Sequence, residues 1–506
     1  MKRLIPQAVE DILPALRSEK VWLVGGAIRD RLLERPSYDF DFVVDGDAVA
    51  LGRRLANEAG ADYFELDPVR GTGRMLLSTG DGRRLIFDFA RLRGASIDED
   101  LRARDLTVNA MAAALDDPDR LIDPTGGLKD LRARFLRACS SHALLDDPVR
   151  ALRCIRIADE LSAKVEADTV RQVRAAAVKL SEVAPERIRD EFFRILGLAG
   201  VAPALRQLDS LGLLTSVIPE LEALRDLEQP TGHAYDALTH TLAVVAGLDR
   251  VLWLLEPQEE DRATDLAAGW VLHSLGPYRA SLAEYLNHSL SFGRTRRQLL
   301  YLATLVHDVG KSRTYARDAE GVIRFLGHEA VSAAMAVEMA RRMALSLAET
   351  AELERLVADH MRPGWVEKNE GPTRRALYRY YRSTQAAGIG IGLLSLADLL
   401  GKHVPPVPEA AWSKRVATVH ALFETWFEKR DQQVNPPLLL NGDAVMELLG
   451  LPSGPAVGRL LEELREAQAS GDVRTIAEAE ALLRQQLRAM EDGTRGEGPG
   501  GAPQVR

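Results

Sequence analysis

One short run constrains this chain more than any other: Tyr38-Asp39-Phe40-Asp41-Phe42-Val43-Val44, in which acids alternate with aromatics. Residues two apart on a β-strand face the same side, so a strand sets Asp39 and Asp41 on one face and Phe40 and Phe42 on the other. The aromatic face calls for a core. The acidic face is either solvated or holds a cation, because aligned carboxylates repel unless something positive sits between them. Mg²⁺ takes oxygen ligands and keeps waters and substrate phosphates in its shell, so this pair suits a catalytic metal clamp. Asp88 lies inside the apolar run Leu85-Ile86-Phe87-Asp88-Phe89. A charge there costs several kcal/mol unless paired or metal-bound, and a third ligand would account for it.

Other features of the first third fit a strand-and-turn scaffold. Val21-Trp22-Leu23-Val24 reads as a strand running into Gly25-Gly26-Ala27-Ile28-Arg29-Asp30, where bare backbone N–H groups can approach a phosphate and Arg29 adds charge; read alone, the Gly pair is a turn. Arg84 to Phe89 reads as a third strand. Arg104-Asp105-Leu106-Thr107-Val108-Asn109-Ala110-Met111 brings guanidinium, carboxylate and amide groups to a helix start, a set suited to a triphosphate and ribose. Asp123-Pro124-Thr125-Gly126-Gly127 reads as a turn.

From about Asp147 strands nearly vanish and amphipathic helices take over, through Leu214 and again from Ala234 to about Leu400, with the rest also helical. The fold class is therefore α+β: an N-terminal α/β part followed by all-helical parts. The end of the α/β pattern at about 137 and the breaks at Pro219–Gly232 and Pro405–Pro408 divide the chain into segments 1–137, 138–218, 230–404 and 410–490, the last with a further break at Asn435–Pro437, and a Gly- and Pro-rich tail over 493–506 reads as disordered.

With 506 residues the length suggests about three domains at ~150 residues each. The formal charge is 65 − 74 = −9, so blanket polyanion binding is excluded and any nucleic-acid contact must come from local patches. No interleaved aromatic and basic module stands out, which weighs against a purely RNA-binding protein. Cys139 and Cys154 are too few for a disulfide framework or Cys-rich zinc site. Met1 to Lys20 lacks a continuous apolar stretch, and the longest apolar run, Ala386 to Ala397, stops at Asp398. The expectation is a cytoplasmic protein without a signal peptide or membrane span.

Two further constellations carry chemistry. Asp146-Asp147-Pro148-Val149-Arg150-Ala151-Leu152-Arg153 opens a helix, with Asp147 expected as N-cap and Pro148 at the first helical position. Arg150 sits in the first turn, where the helix dipole disfavours a cation, so some other gain should hold it there. Asp147 and Arg150 are three apart on one helical face and can present an acceptor and donors to a base edge. Downstream, His240, His307-Asp308, His328, His360 and Asp398 are spread over helices. Together they can converge on a divalent metal, and imidazole suits a transition metal.

In this order, the runs Gly25–Asp30, Asp39–Asp41 and Arg104–Ala110 resemble those of the class II tRNA nucleotidyltransferases and bacterial poly(A) polymerases. The resemblance implies that segment 1–137 is a nucleotidyltransferase head and that Asp39 and Asp41 hold Mg²⁺. It puts Gly25, Gly26 and Arg29 on the phosphates, and Arg104, Asp105 and Asn109 on the phosphate and sugar of the incoming nucleotide. The family has two arginines before that Asp; here the first is Ala103, with Arg102 just before it. The resemblance further makes 138–218 a nucleotide-reading neck, in which Asp147, Arg150 and Arg153 belong to an element that reads the Watson–Crick edge of CTP or ATP. Glu186-Arg187-Ile188-Arg189-Asp190-Glu191 looks like the family's next helical element, or equally like an ordinary charged helix face.

The order His, His-Asp, His, His, Asp resembles the HD phosphohydrolases. That implies a metal-binding HD domain over 230–404, with Lys311 as its phosphate contact and metal-dependent hydrolysis as a further activity. The stretch from Leu440-Asn441-Gly442-Asp443 to Leu461 resembles the tail of HD-containing tRNA nucleotidyltransferases, so 410–490 is implied to bind tRNA; Asp443 itself reads as an N-cap. The implied function is template-independent addition of C and/or A to tRNA 3′ ends from CTP and ATP, with release of pyrophosphate. The chain between Asp88 and Asp100 is short, and many CCA-adding members have a longer loop there, so both CCA and CC addition stay open. Poly(A) polymerase activity, and an HD hydrolase with a nucleotide-sensing head, are the alternatives.

Overall fold

The computed structural model describes residues 4–10, 20–67, 71–80, 84–230, 234–257, 265–291, 293–368 and 371–496. The chain forms two compact units, one of residues 1–198 and 203–218 and one of residues 199–202 and 219–506.

The first unit is built on a seven-stranded mixed sheet. Its strands are β1 (Val21–Val24), β2 (Asp39–Val44), β3 (Asp62–Asp67), β4 (Thr72–Ser78), β5 (Arg84–Arg91), β6 (Ala112–Ala114) and β7 (Leu121–Ile122), in the order β3-β4-β5-β2-β1-β6-β7. The β2–β5 pair is parallel, and its register sets Phe40 beside Phe87, Asp41 beside Asp88 and Phe42 beside Phe89. The aromatic faces of both strands are buried, with ring centroids 5.3 Å apart for Phe40–Phe87 and 5.2 Å for Phe42–Phe89. Burying four phenylalanines on one side fixes the register, since a one-residue slip would put the acids into the core. Helix α1 (Gly26–Leu32) follows β1, and α2 (Ala48–Ala59) packs on β4 and β5. The α3 helix (Ile97–Arg102) follows β5 after only Leu92–Ser96. The same unit continues with α4 (Val149–Glu160) and α5 (Pro185–Leu196), which pack on each other.

The second unit is helical. Its site-bearing helices are α6 (Ala237–Leu255), α7 (Arg296–Val306), α8 (His328–Arg342), α9 (Leu347–Ala358), α10 (Arg374–Thr384) and α11 (Ala387–Lys402). Beyond them lie α12 (Glu409–Phe427), α13 (Pro455–Ser470) and α14 (Ile476–Gly496). Helix α6 is the one described helix long and apolar enough to cross a membrane, but 61% of its apolar window is buried inside the unit. It packs backbone to backbone on α11: a Cβ at Gly247 would lie 2.8 Å from the Ala397 carbonyl oxygen, and one at Gly401 would lie 2.7 Å from the Val244 nitrogen. This tight crossing brings the Asp398 turn of α11 against the His240 turn of α6.

Several local expectations need correcting. The β3–β4 hairpin went unread, because the burial of β3 lacks the alternation that marks a half-buried strand. Pro148, not Asp147, is the N-cap of α4, and no side chain caps it; the Asp147 carboxylate is drawn to arginines instead. In the helix Gly442–Leu449, Asn441 caps by accepting from the Ala444 N–H, and Asp443 lies in the first turn. Helix α14 runs through Gly496, into the stretch expected to be disordered, since extending a formed helix costs little per residue. Residues 497–506, like Gly232 at the expected break, lie outside the described residues.

Candidate active site and candidate metal centre

At the open end of β2, Asp39 is exposed and Asp41 half-buried, and both share a face with Asp88 of the neighbouring strand. Burial, reinforced by the Asp39 charge, pushes the Asp41 carboxyl up to about 6, even though Arg104 pulls the other way. Asp39 is raised too, by burial and then by Asp88. Acids crowded this way take up a proton or a cation. Their donor set, hard oxygens on one strand face, fits a divalent cation.

Asp88 departs from expectation as a metal ligand. Arg74 of β4 stands directly opposite it in the antiparallel register and holds both carboxylate oxygens, at 2.8 and 2.7 Å. That ion pair accounts for an acid in an apolar strand without a third ligand. Arg74 was missed because its strand was missed; a lone arginine in the run Thr72–Ser78 was the available signal.

Gly25 closes the site on the other side. Its φ is +77°, which side chains rarely adopt, and a Cβ there would lie 3.2 Å from Asp41 Oδ2 and 3.4 Å from Arg104 Nη1. Glycine thus lets the turn preceding α1 come against the acids, with Gly26 starting the helix. Arg29 is differently placed from expectation. It is buried, donating Nε and Nη2 to Asp30 and Nη1 to Asn109 Oδ1 at 2.8 Å, so it braces Asn109. Arg104 donates to Asp100, 1% exposed, which fixes the guanidinium beside Gly25. Ala103 closes α3, and Arg102 is exposed in its last turn. Asp105 is buried, yet burial is outweighed by Arg153, whose Nη1 lies 3.1 Å away, so its carboxyl sits below the usual range.

Beside this lies a cleft of about 890 Å³ lined by Asp147, Arg150, Arg153 and Arg187, among others. Such a volume lies within the range of small-ligand sites. Arg150 donates Nη1 to the Ala143 carbonyl at 2.9 Å, and its Nε lies 3.6 Å from Asp147 Oδ2. This explains a cation in the first turn of α4. Arg187 of α5 donates to the same Oδ2 at 2.7 Å, while Asp147 Oδ1 receives no hydrogen bond among the described residues. Arg187 thus orients Asp147, one result of the charged run of α5 that the sequence left between two readings. Arg153 also lies 3.6 Å from Glu191 of α5, which ties the two helices together.

In the second unit the six histidines and acids come together. His240 Nε2 lies 3.2 Å from Asp398 and 3.5 Å from Asp308. His307, His328 and His360 place Nε2 at 3.2, 3.3 and 3.9 Å from Asp308. Each ring has Nδ1 against a backbone carbonyl: Gly401 for His240, Thr304 for His307, Phe325 for His328 and Val357 for His360. A carbonyl only accepts, so Nδ1 carries the proton and a neutral ring aims its Nε2 lone pair at the carboxylates. Lone pairs facing carboxylates repel, so a cation or an added proton belongs between them. The buried Nε2 atoms of His307 and His328, though close to Asp308, make no well-aligned hydrogen bond among the described residues. Two triads sharing Asp308, namely His240–His307–Asp308 and Asp308–His328–His360, have ligand atoms within 4.8 Å of one another.

Where no cation is held, a proton takes its place between His240 and its carboxylates. Burial lowers His240, but Asp308 and Asp398 outweigh it and hold the ring up at about 9; burial and then the His307 charge push His360 down to about 4. Burial would raise Asp308, yet His307 and Lys311 hold it well below the usual range. Lys311 Nζ lies 2.6 Å from Asp308 and donates to Gln229 at 2.7 Å, so it is engaged at the cluster.

Comparison with known proteins bears on both sites. Residues 21–137 match the model of the Poly A polymerase head domain, residues 164–224 that of the Probable RNA and SrmB- binding site of polymerase A, and residues 273–400 that of the HD domain. An A-adding tRNA nucleotidyltransferase of Deinococcus radiodurans is 34% identical over 91% of this chain and 94% of its own length. The chain belongs to the tRNA nucleotidyltransferase family. A CC-adding tRNA nucleotidyltransferase of Geobacter sulfurreducens is 33% identical over 91% of both chains. Among solved structures, a CCA-adding enzyme in an apo form aligns over 96% of this chain and 95% of its own, with a TM-score of 0.61 at 19% identity, which shows a shared fold. In this family the head and HD domains generally use divalent metals, consistent with the acid face of β2 and the histidine cluster.

Proposed function

We propose that this family member adds C and/or A to the 3′ end of tRNA from CTP and ATP, releasing pyrophosphate. The observation that carries this reading is the placement of Asp39 and Asp41 on one strand face, against the Gly25 turn and Arg104, with the cleft of Asp147 and Arg150 alongside. Asp39 and Asp41 would hold Mg²⁺. That ion supplies charge neutralisation at the phosphates and acidifies the attacking 3′-hydroxyl. The rest falls to the chain. The Gly25 turn and Arg104 receive the phosphates, Arg29 holds Asn109 toward the sugar, and Arg153 keeps Asp105 ionised.

Base choice follows from hydrogen-bond polarity. Cytosine and adenine present an exocyclic amino donor where uracil and guanine present a carbonyl. Asp147 Oδ1 accepts from that amino group, Arg150 donates to the neighbouring ring nitrogen, and Arg187 keeps Asp147 from turning away. No nucleic-acid template is required. Segments 1–137, 138–218, 230–404 and 410–490 then serve as head, reading neck, HD domain and tRNA-binding region.

A second activity is favoured by the converging Nε2 lone pairs: the HD cluster binds a divalent transition metal and serves metal-dependent phosphohydrolysis. An HD hydrolase whose head merely senses nucleotide fits less well, because Asp39 and Asp41 share a strand face, with Arg104 beside the Gly25 turn. The test is purified protein with tRNA ending before CCA, or ending in CC, given CTP, ATP or both, with the product ends sequenced. CC, A or CCA addition supports the reading and names its variant. A long A tail replaces it with poly(A) polymerase, and no addition on either substrate overturns it.

A further inference from the structure

A cleft of about 210 Å³ in the second unit is lined by Arg382 of α10, Arg430, and Arg465 of α13, with Tyr381 and Trp426 as its aromatic wall. In a chain of net charge −9, three guanidinium groups around one small opening are a local exception. Among the described residues one carboxylate is shared among them: Glu462 pairs with Arg382, lies 3.4 Å from Arg465 Nη1, and accepts from the Tyr378 hydroxyl at 2.6 Å. Arg465 Nε is buried and has no hydrogen-bond partner among the described residues, an orphaned donor that costs free energy until an acceptor arrives. Arg430 stacks on Trp426 at 4.3 Å, and Tyr381 backs the same ring at 5.0 Å, so its guanidinium is held while its donors stay unpaired with any carboxylate among the described residues.

The opening is smaller than the ~300–1,000 Å³ typical of sites that enclose a whole small molecule. It suits one anionic group projecting from something larger. Forked arginine donors match the two non-bridging oxygens of a phosphodiester, and arginine with amide side chains such as the exposed Asn435 at the rim is the usual means of gripping a nucleic-acid backbone.

We infer that this cleft seats a backbone phosphodiester of the RNA substrate, with Arg430 and Arg465 as its principal donors. The inference rests on the tRNA reading above and adds a named contact to it. The tyrosines interleaved with the arginines of α10 do not stack on bases, since Tyr378, Tyr380 and Tyr381 are buried; the helix presents its arginines outward and its rings to the core.

The test measures tRNA affinity between 50 and 200 mM salt for the full chain and for the double variant Arg430→Gln/Arg465→Gln. Loss of two phosphate contacts makes the slope of log Kd against log salt shallower by about 1.5 and weakens binding about 10- to 100-fold at low salt. The KM for CTP and the turnover at saturating tRNA stay unchanged. Asn435→Asp, an exposed change that adds a negative charge, weakens tRNA binding in the same direction and serves should the double variant fail to fold. An unchanged slope and affinity in the variants overturns the inference, and so does a raised KM for CTP with tRNA affinity intact, which would make the occupant a free nucleotide. Wild-type protein that binds tRNA with the expected variant slopes but never extends it would overturn the catalytic reading and support the cleft.

Discussion

The head and the HD domain gather acids for a cation in opposite ways. On β2 the site is made by local sequence: two carboxylates two residues apart, at the open end of a strand, with phenylalanines anchoring the opposite face. In the HD domain the ligand groups come from five separate segments, buried where helices converge, and every imidazole is aimed by a backbone carbonyl. The first arrangement leaves coordination positions for a substrate's phosphates. The second would enclose an ion and is tied to the packing of the unit. A site built on one strand is thus suited to turnover, and one built on five segments couples metal binding to stability.

The sharpest way to break this comparison is to disable each site alone. Asp41→Asn keeps the shape but removes half of the acid pair, and addition to tRNA should fall at least ~1,000-fold, on the scale of an essential electrostatic group. Asp308→Asn should leave that rate within about threefold. Loss of addition in the second variant and not the first would reverse the assignment. Metal removal should separate the sites in the other sense: a chelator lowers the Tm of the wild type, and metal analysis shows a transition ion lost in Asp308→Asn and kept in Asp41→Asn.

The acid pair also predicts a pH signature. Because burial, reinforced by the Asp39 charge, raises the Asp41 carboxyl to about 6, the metal-free protein takes up a proton there as pH falls through that value, and Mg²⁺ must displace it. Mg²⁺ affinity, followed by calorimetry, should then be level above pH 6 and fall about tenfold per pH unit below it. A flat profile down to pH 5 would mean the carboxylates are not the ligands. At the cleft of Asp147 and Arg150, Arg187→Ala frees Asp147 to rotate. Discrimination of CTP over UTP should drop about tenfold, near the lower end of what one paired base contact contributes. The smallest effect belongs to Arg74→Met: Asp88 loses its partner at a partly exposed position, and urea unfolding of the head should show about 1–2 kcal/mol of lost stability.

What was legible in the sequence follows the same division. The face shared by Asp39 and Asp41, and the burial of Phe40 and Phe42, come from period-2 alternation, a purely local rule. The histidines were legible as a set because so few histidines are present and their order is distinctive, although only the fold shows that Nδ1 is tied to carbonyls in each ring. Partners that arrive from other elements escaped. Arg74 meets Asp88 only through the pairing of β4 with β5, Arg187 meets Asp147 across two helices, and Arg29 turns inward to Asn109 eighty residues away. Asp147 looked like a cap because its local position favours one; two arginines compete successfully for its carboxylate.

A crystal of the full chain soaked with CTP and Mn²⁺ tests the central claim most directly, since Mn²⁺ stands in for Mg²⁺ and gives an anomalous signal. The account predicts an anomalous peak shared by the Asp39 and Asp41 carboxylates and the triphosphate, with the cytosine edge against Asp147 and Arg150. A triphosphate seated at the HD histidines, with no ion on the β2 acids, would contradict it.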